Sequence, residues 1–237
     1  MNRTVLHLRA GGLCAEIVRV QTEAPPRCVL LGAGGHAAAV LAVARAAGLD
    51  VVAATDADPA RAGKTLDGVP IVGADAVIER LMRQDRVTAA LMGLGSTKNN
   101  RPRRRLFQLA RSRGLQMPTL VADSAVVAED AVLGEGTVVM PLALVHVAAR
   151  VGDNGIVNSG AIVEHGTVVS DHVHVAPNAT VLADCRIGEG AFIGAGAVIR
   201  QGLTVGDYAV VAAGAAVFKN VPPGVTVLGN PARVVPL

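Results

Sequence analysis

The side chains able to move a proton or orient a reacting group gather in one short stretch of this chain. Asn158, Glu164, His165, Asp171, His172 and His174 lie there, and four of the 6 histidines fall between His146 and His174. A lone histidine is usually a plain surface residue, but a cluster that interrupts a bland repeat favours a site. A neutral imidazole titrates near working pH and suits general-base chemistry. The histidine spacings reproduce no zinc pattern, so no metal is expected. No Ser or Cys stands beside a His as an activated nucleophile would, which points to direct transfer without a covalent enzyme intermediate.

A second chemistry-bearing group lies near the start. Cys28 to Leu31 reads as an apolar strand that runs into Gly32-Ala33-Gly34-Gly35-His36, and Ala37 to Ala47 reads as a helix ending at Gly48. Strand, glycine turn and helix present free N–H groups to an anion at the helix start. A second strand, Val51 to Ala54, ends near Asp56. That order invites a dinucleotide-binding reading. The third glycine of the usual fingerprint is missing, however, because His36 follows Gly35 and alanines follow His36. A strand at Val69 to Val72, a helix at Ala74 to Arg83, a strand at Ala89 to Met92 and a helix at Arg103 to Arg113 complete enough for one nucleotide half-site. His36 as a helix cap and Asp56 as a turn residue are the bland alternatives. Arg101, Arg103, Arg104, Arg105, Arg111 and Arg113 are either a solvated helix face or a basic rim near a diphosphate.

These groups must be held by the elements around them, and one pattern dominates. Every sixth residue from Val127 to Val217 is aliphatic, with no break, and the residue four positions after each (Ala131, Thr137, Ala143, Ala149, Gly155, Ala161, Thr167 and onward) is nearly always small. A period of six matches neither a helix face nor simple alternation, and a fixed period signals a repeat architecture. Short flat strands forming the three sides of a triangular prism meet the pattern. The aliphatic residue then points inward, the small one sits near the corner, and residues eighteen apart stack at roughly the 4.7–4.9 Å strand spacing. About five turns are encoded, each buried against the next. Such a prism has no cleft of its own, so its chemistry must sit on outer faces and be completed by a neighbouring chain.

Composition sets the bounds. The 237 residues allow two modest domains, and 51% apolar with 2% aromatic content suits a narrow aliphatic core. A net charge of +3 does not mark a nucleic-acid binder. Cys14, Cys28 and Cys185 are far apart and read as free thiols in a reducing compartment. No apolar run is long enough to span a membrane, and the start lacks a signal-peptide core, so a cytoplasmic protein is expected. Residues 1–27 read as an N-terminal extension, either a β-hairpin or a tail.

The segment Asn158-Ser159-Gly160-Ala161-Ile162-Val163-Glu164-His165 resembles the active-site segment of the nucleotide-sugar N-acetyltransferases of bacterial glycan synthesis, with their sialic-acid O-acetyltransferase relatives. His172-Val173-His174-Val175-Ala176-Pro177-Asn178-Ala179 and the ending Gly229-Asn230-Pro231-Ala232-Arg233 are similar too, over about residues 28–237. The resemblance implies an α/β N-terminal Rossmann-like half-domain (28–118) that binds a nucleotide sugar. After it would come an all-β C-terminal left-handed parallel β-helix (119–237) of hexapeptide repeats, acting as a homotrimer. It implies acetyl-CoA as co-substrate, His165 as general base, His174 as a contact near the thioester, and Asn158 as a lining residue. Ala195 and Ala213 would border the CoA groove. Gly34, Gly35 and His36 would hold the nucleotide sugar, with Asp56 near its base and ribose and Gly93 a close-packed turn beside it.

One departure stands out. The family commonly carries an acid directly after the base, and here that residue is Gly166. Asp184, eighteen residues on, is the expected substitute, and Glu164 the rival. The leading expectation is transfer of an acetyl group to the amine of a nucleotide-linked 4-amino-4,6-dideoxy sugar. A sugar O-acetyltransferase and a non-catalytic nucleotide-sugar-binding trimer are the alternatives, and an NAD-dependent oxidoreductase would rest on the glycine loop alone.

Overall fold

The computed structural model describes residues 25–96 and 99–235; the expectation of a hairpin over 1–27 falls almost wholly outside them. The chain forms two compact units, one of Met1–Gly95 with Arg105–Leu120, the other of Ser96–Arg104 with Val121–Leu237. The short segment Ser96–Arg104 therefore groups with the C-terminal repeat although it lies within the span 28–118 read as the first domain.

The first unit is a small α/β layer. Strand β1 (Arg27–Leu31), helix α1 (Gly35–Ala46) and strand β2 (Asp50–Thr55) lead to a hairpin of β3 (Thr65–Leu66) and β4 (Val69–Pro70), then α2 (Ile78–Gln84), β5 (Ala89–Met92) and α3 (Arg101–Ser112). A parallel sheet in the order β2-β1-β5 forms the layer. Its central strand is apolar from Cys28 to Leu31 and fully buried, as a strand covered on both faces must be. Phe107 and Ala110 of α3 pack with Val29, Leu31, Ile78, Leu81 and Met92. The strand expected over Val69–Val72 splits: Val69–Pro70 pairs antiparallel with β3, and Ile71 bridges to Ala54. Asp67-Gly68 explains the hairpin, because both residues have positive φ, as its two-residue turn requires.

The second unit is a left-handed parallel β-helix. Two-residue strands recur every six residues and stack into sheets of six, five and eight strands. Register follows the eighteen-residue coil: Ile162 pairs with Leu144 below and Thr180 above. The six strands of one sheet count about six coils, one more than the pattern suggested. The inward ladder from Val139 to Val217 is essentially sealed from water. Each such aliphatic side chain contributes roughly 1.5–3 kcal/mol. Two interior positions of the small ladder carry hydroxyls, and both are satisfied. Thr137 Oγ1 donates to Gly152 O and accepts from Gly155 N, and Thr167 Oγ1 donates to Leu182 O and accepts from Cys185 N.

A third ladder sets the corners. Every sixth residue from Gly136 to Gly214 has positive φ, whether glycine or, at Leu142, Ala148, Asn154, His172, Asn178, Asp184 and Tyr208, a residue with a side chain. The backbone turns there, and a non-glycine residue in that region costs about 1–2 kcal/mol. These turns divide the outside of the prism into three faces and three edges. One face bears Val126, Leu144, Ile162, Thr180, Val198 and Ala216 outward and is called here the apolar face. A second, the polar face, exposes Arg150, Arg186 and Thr204. The third carries Ile156, His174 and Phe192, and Ser96 of the same unit lies against it.

Candidate active site

His165 stands on the edge where the apolar face turns into the polar one, and it is exposed. Glu164 precedes it and accepts the His165 backbone N–H at 3.3 Å. His146, one coil below, lies with its ring centroid 6.0 Å from that of His165 and its plane at 68°. The His146 ring is oriented by the Val147 N–H, which donates to Nδ1 at 2.8 Å. Asp184, one coil above, accepts no hydrogen bond from the His165 ring among the described residues. Its backbone N–H donates to His165 O at 3.0 Å. The Asp184 carboxylate instead covers Gly166: a Cβ placed on Gly166, whose φ is +66°, would collide with Asp184 Oδ1.

Asn158 belongs to a different edge. The strand Ile162–Val163 separates the turn holding Asn158 from the turn holding His165, so the two lie at opposite ends of the apolar face. Ala195 and Ala213 are exposed on the Asn158 edge, one above the other, as eighteen-residue spacing dictates. His174, 6% exposed, donates from Nδ1 to the Ser96 carbonyl at 2.8 Å, and its Nε2 lies 3.0 Å from Asn158 Nδ2. Asn158 Oδ1 accepts from the Ser159 N–H at 2.8 Å. Burial first and the nearby Arg103 charge second push the His174 ring down to about 4, against a smaller opposing effect from the Ser96 carbonyl. It is therefore neutral at physiological pH. The Phe192 ring packs edge-on against it at 5.2 Å.

The third edge carries charge. Glu135, Asp153, Asp171, Glu189 and Asp207 stack at eighteen-residue intervals. Asp153, Asp171 and Asp207 each accept the N–H of the acid one coil below, at 2.8–2.9 Å. The start of α3 lies on this edge. Asn100 Nδ2 donates to Gly190 O and Ala191 O, and Arg103 Nε donates to Asn154 O. Arg104 pairs with Glu189 at 2.8 Å and also donates to the Tyr208 hydroxyl, while Arg101 stacks 4.4 Å over the Tyr208 ring. Arg103 is 1% exposed, and burial lowers its guanidinium to about 9, still charged at neutral pH. The solvated-face reading of this arginine run fails for Arg103, which is buried against the coil, while Arg101 stays exposed and Arg104 partly so as they bind Tyr208 and Glu189. Arg113 lies in the first unit, 3.8 Å from Glu79, and donates to Asp75 O.

In the first unit, Gly34 is the N-cap residue of α1 and brings no side-chain cap, and His36 is the second residue of the helix. Gly34 and Gly35 are exposed at the helix start, with open space above both. A Cβ on Gly95 would press on His36 Cβ at 3.0 Å, and one on Gly93 would strike Gly32 O. The glycines at 93 and 95 thus let this turn close on the loop. Asp56 reaches the same loop: Oδ2 accepts the Ala33 N–H at 3.3 Å and faces Arg61 at 3.4 Å. Cys28 is pushed up to about 12 by burial and by Asp50, and burial raises Cys185 as well, so neither thiol is a nucleophile.

Comparisons with known proteins agree in kind. The PglD N-terminal domain family matches residues 27–110, and the bacterial transferase hexapeptide family matches residues 184–219. No curated protein matches the sequence. Among solved structures, a perosamine N-acetyltransferase from Caulobacter crescentus, in complex with CoA and GDP-perosamine, is 34% identical. The match covers 88% of this chain and 96% of that one, with a TM-score of 0.83. The acetyltransferase domain of PglB from Neisseria gonorrhoeae, in complex with acetyl coenzyme A, is 33% identical over 89% of this chain and 100% of that one, with a TM-score of 0.80. WeeI from Acinetobacter baumannii is 28% identical over 88% and 99%, with a TM-score of 0.79. The chain belongs to the nucleotide-sugar N-acetyltransferase family and is an acyltransferase.

Proposed function

We propose that this protein transfers an acetyl group from acetyl-CoA to the amine of a nucleotide-linked 4-amino-4,6-dideoxy sugar, as a cytoplasmic homotrimer. The observation that carries the reading is an exposed His165 on the edge of an apolar face, in a chain similar along its length to an enzyme solved with CoA and GDP-perosamine. Gly34, Gly35 and His36 at the start of α1 would receive the nucleotide phosphates, with Asp56 bracing that loop and Gly93 closing on it.

The chemistry follows from an exposed imidazole. The sugar amine attacks the thioester carbonyl carbon, forming the C–N bond as the carbonyl electron pair moves to oxygen. His165 takes the proton from the attacking nitrogen. The C–S bond then breaks, and CoA leaves as a thiolate that takes up the proton His165 has gained, which returns the imidazole to its neutral form. Holding two large ligands in line supplies much of the rate.

Trimer formation is supported by the apolar face. Val126 is 62% exposed there, Leu142 is 74% exposed in a left-handed turn on the Asn158 edge, and Val147 is exposed on the His165 edge of the same coil. A second copy covering that face would bring the His165 edge of one chain to the Asn158 edge of its neighbour, where Ala195 and Ala213 leave room for CoA. A panel of nucleotide amino sugars, GDP-perosamine among them, with hydroxyl acceptors in parallel, read by thiol release from acetyl-CoA, tests the assignment. Release with amine acceptors that disappears in a folded His165→Asn variant is the expected result. No release with any amine acceptor would refute it.

A further inference from the structure

Three hydrogen bonds in the C-terminal unit share one direction. The Ser96 carbonyl can only accept, so His174 must carry its proton on Nδ1. The buried ring is neutral, so Nε2 holds a lone pair and must itself accept. The group of Asn158 facing it, 3.0 Å away, is therefore the NH₂ and not the oxygen. The other end of the amide agrees independently: the Ser159 N–H can only donate, so it requires the Asn158 oxygen, 2.8 Å away. An amide whose two ends are fixed from two sides has no freedom to flip.

The NH₂ group of Asn158 has two hydrogens. One is used on His174; no acceptor among the described residues takes the other. Asn158 is half-exposed, on the same edge as the exposed Ala195 and Ala213. We propose that Ser96 and His174 are positioning residues that fix the Asn158 amide so that it offers its second N–H to the carbonyl oxygen of the acyl thioester. The role rests on the acetyl-transfer reading above and deepens it. As the amine attacks, negative charge develops on that oxygen, and a donor already in place stabilises it without reorganisation. His174 thereby acts through Asn158 and need not touch the acyl group.

Two readouts test the relay. The first is NMR of the full chain labelled at histidine ring nitrogens, which reports protonation site and titration without turnover. Wild type should show the Nδ1–H tautomer at His174. In Asn158→Asp the ring meets an acceptor at both nitrogens, and its midpoint should rise by more than one pH unit. The groups facing the ring include the Ser96 carbonyl, residue 158, the Arg103 charge and the Phe192 ring, and the substitution changes only residue 158. An Nε2–H ring in wild type, or a midpoint unmoved in Asn158→Asp, overturns the relay. The second readout is kinetic. Asn158→Asp and Asn158→Ala, with thermal midpoints checked, should lower kcat about 10²–10³-fold with little change in KM for acetyl-CoA. An unchanged kcat overturns the donor role. Absence of wild-type transfer would sink the enzymatic reading and the donor role with it, while an Nδ1–H ring would leave the positioning of Asn158 by Ser96 and His174 standing.

Discussion

The rings of His146 and His165 meet edge to face, 6.0 Å apart, on one edge of the prism, although nineteen residues separate them in sequence. The Val147 N–H occupies His146 Nδ1, so a neutral His146 carries its proton on Nε2. Only one of the two can be the base, and His165 is the more exposed. His165→Asn is expected to lower kcat by about 10²–10⁴-fold. His146→Asn removes only a neighbour and should cost less than about tenfold. Single-turnover rates of the two variants check the order, and the reverse order would transfer the role to His146.

Asn158 and His165 lie at opposite ends of one face, so in the proposed homotrimer the site would draw its two edges from different chains. Mixing His165→Asn with Asn158→Asp protein, after reversible dissociation, should restore part of the activity that each variant lacks alone. Mixtures no more active than their components would place the whole site on one chain.

The apolar face makes a prediction about assembly. Ile162 sits at its middle, between Leu144 and Thr180. Ile162→Glu would bury a charge against a second copy but leave it in water on a lone chain. Sedimentation should show a trimer for wild type and a monomer for the variant, and transfer should fall in parallel. A monomeric wild type would remove the assembly.

Buried histidines tie stability to pH. His174 is neutral when folded down to about 4 but ionises near 6.5 once unfolded. Between those values the unfolded chain binds the extra proton, so stability is complete above about 6.5 and is lost as pH falls toward about 4. The span implies a loss of about 3 kcal/mol. Burial shifts His172 in the same direction, partly offset by Asp171 and Glu189. Urea midpoints at pH 7.5 and 4.5 measure the loss, which should be smaller in His174→Gln.

Gly166 and Gly202 share an edge and a positive φ, yet only Gly166 is covered by a carboxylate. Gly202→Ala should cost about 1 kcal/mol of turn strain. Gly166→Ala should cost about 2–4 kcal/mol, because the new methyl also displaces Asp184. In an Asp184→Gly background the two costs should converge. Calorimetric or urea unfolding of the set measures the coupling. In the same series, Asp184→Asn tests assistance to His165: a kcat reduced about tenfold is expected if the carboxylate acts on the base, and no change removes that role.

What was legible in the sequence follows from period. The ladder from Val127 to Val217 revealed the prism because burial repeats every six residues, and residues eighteen apart could be stacked by counting. Counting by eighteen also finds the acid column from Glu135 to Asp207, a signal present in the sequence and passed over. Asn158 and His174 are sixteen apart and so invisible to that rule; their contact depends on a face turning into an edge. Arg103 looked like a solvated helix residue because composition alone cannot show that Asn154 O awaits its guanidinium. The corner turns at Leu142, Ala148 and Tyr208 were hidden for a related reason, since none of these types advertises a left-handed backbone.

The corner turns, one every six residues, constrain how such a protein can change length. Removing a single hexad would keep every aliphatic side chain pointing inward and cost little in the core. All later outward residues would nevertheless rotate by a third of a revolution, so Ala195 and Ala213 would leave the edge that carries Asn158. Only losses or gains of a whole eighteen-residue revolution preserve both the interior and the alignment of the working edges.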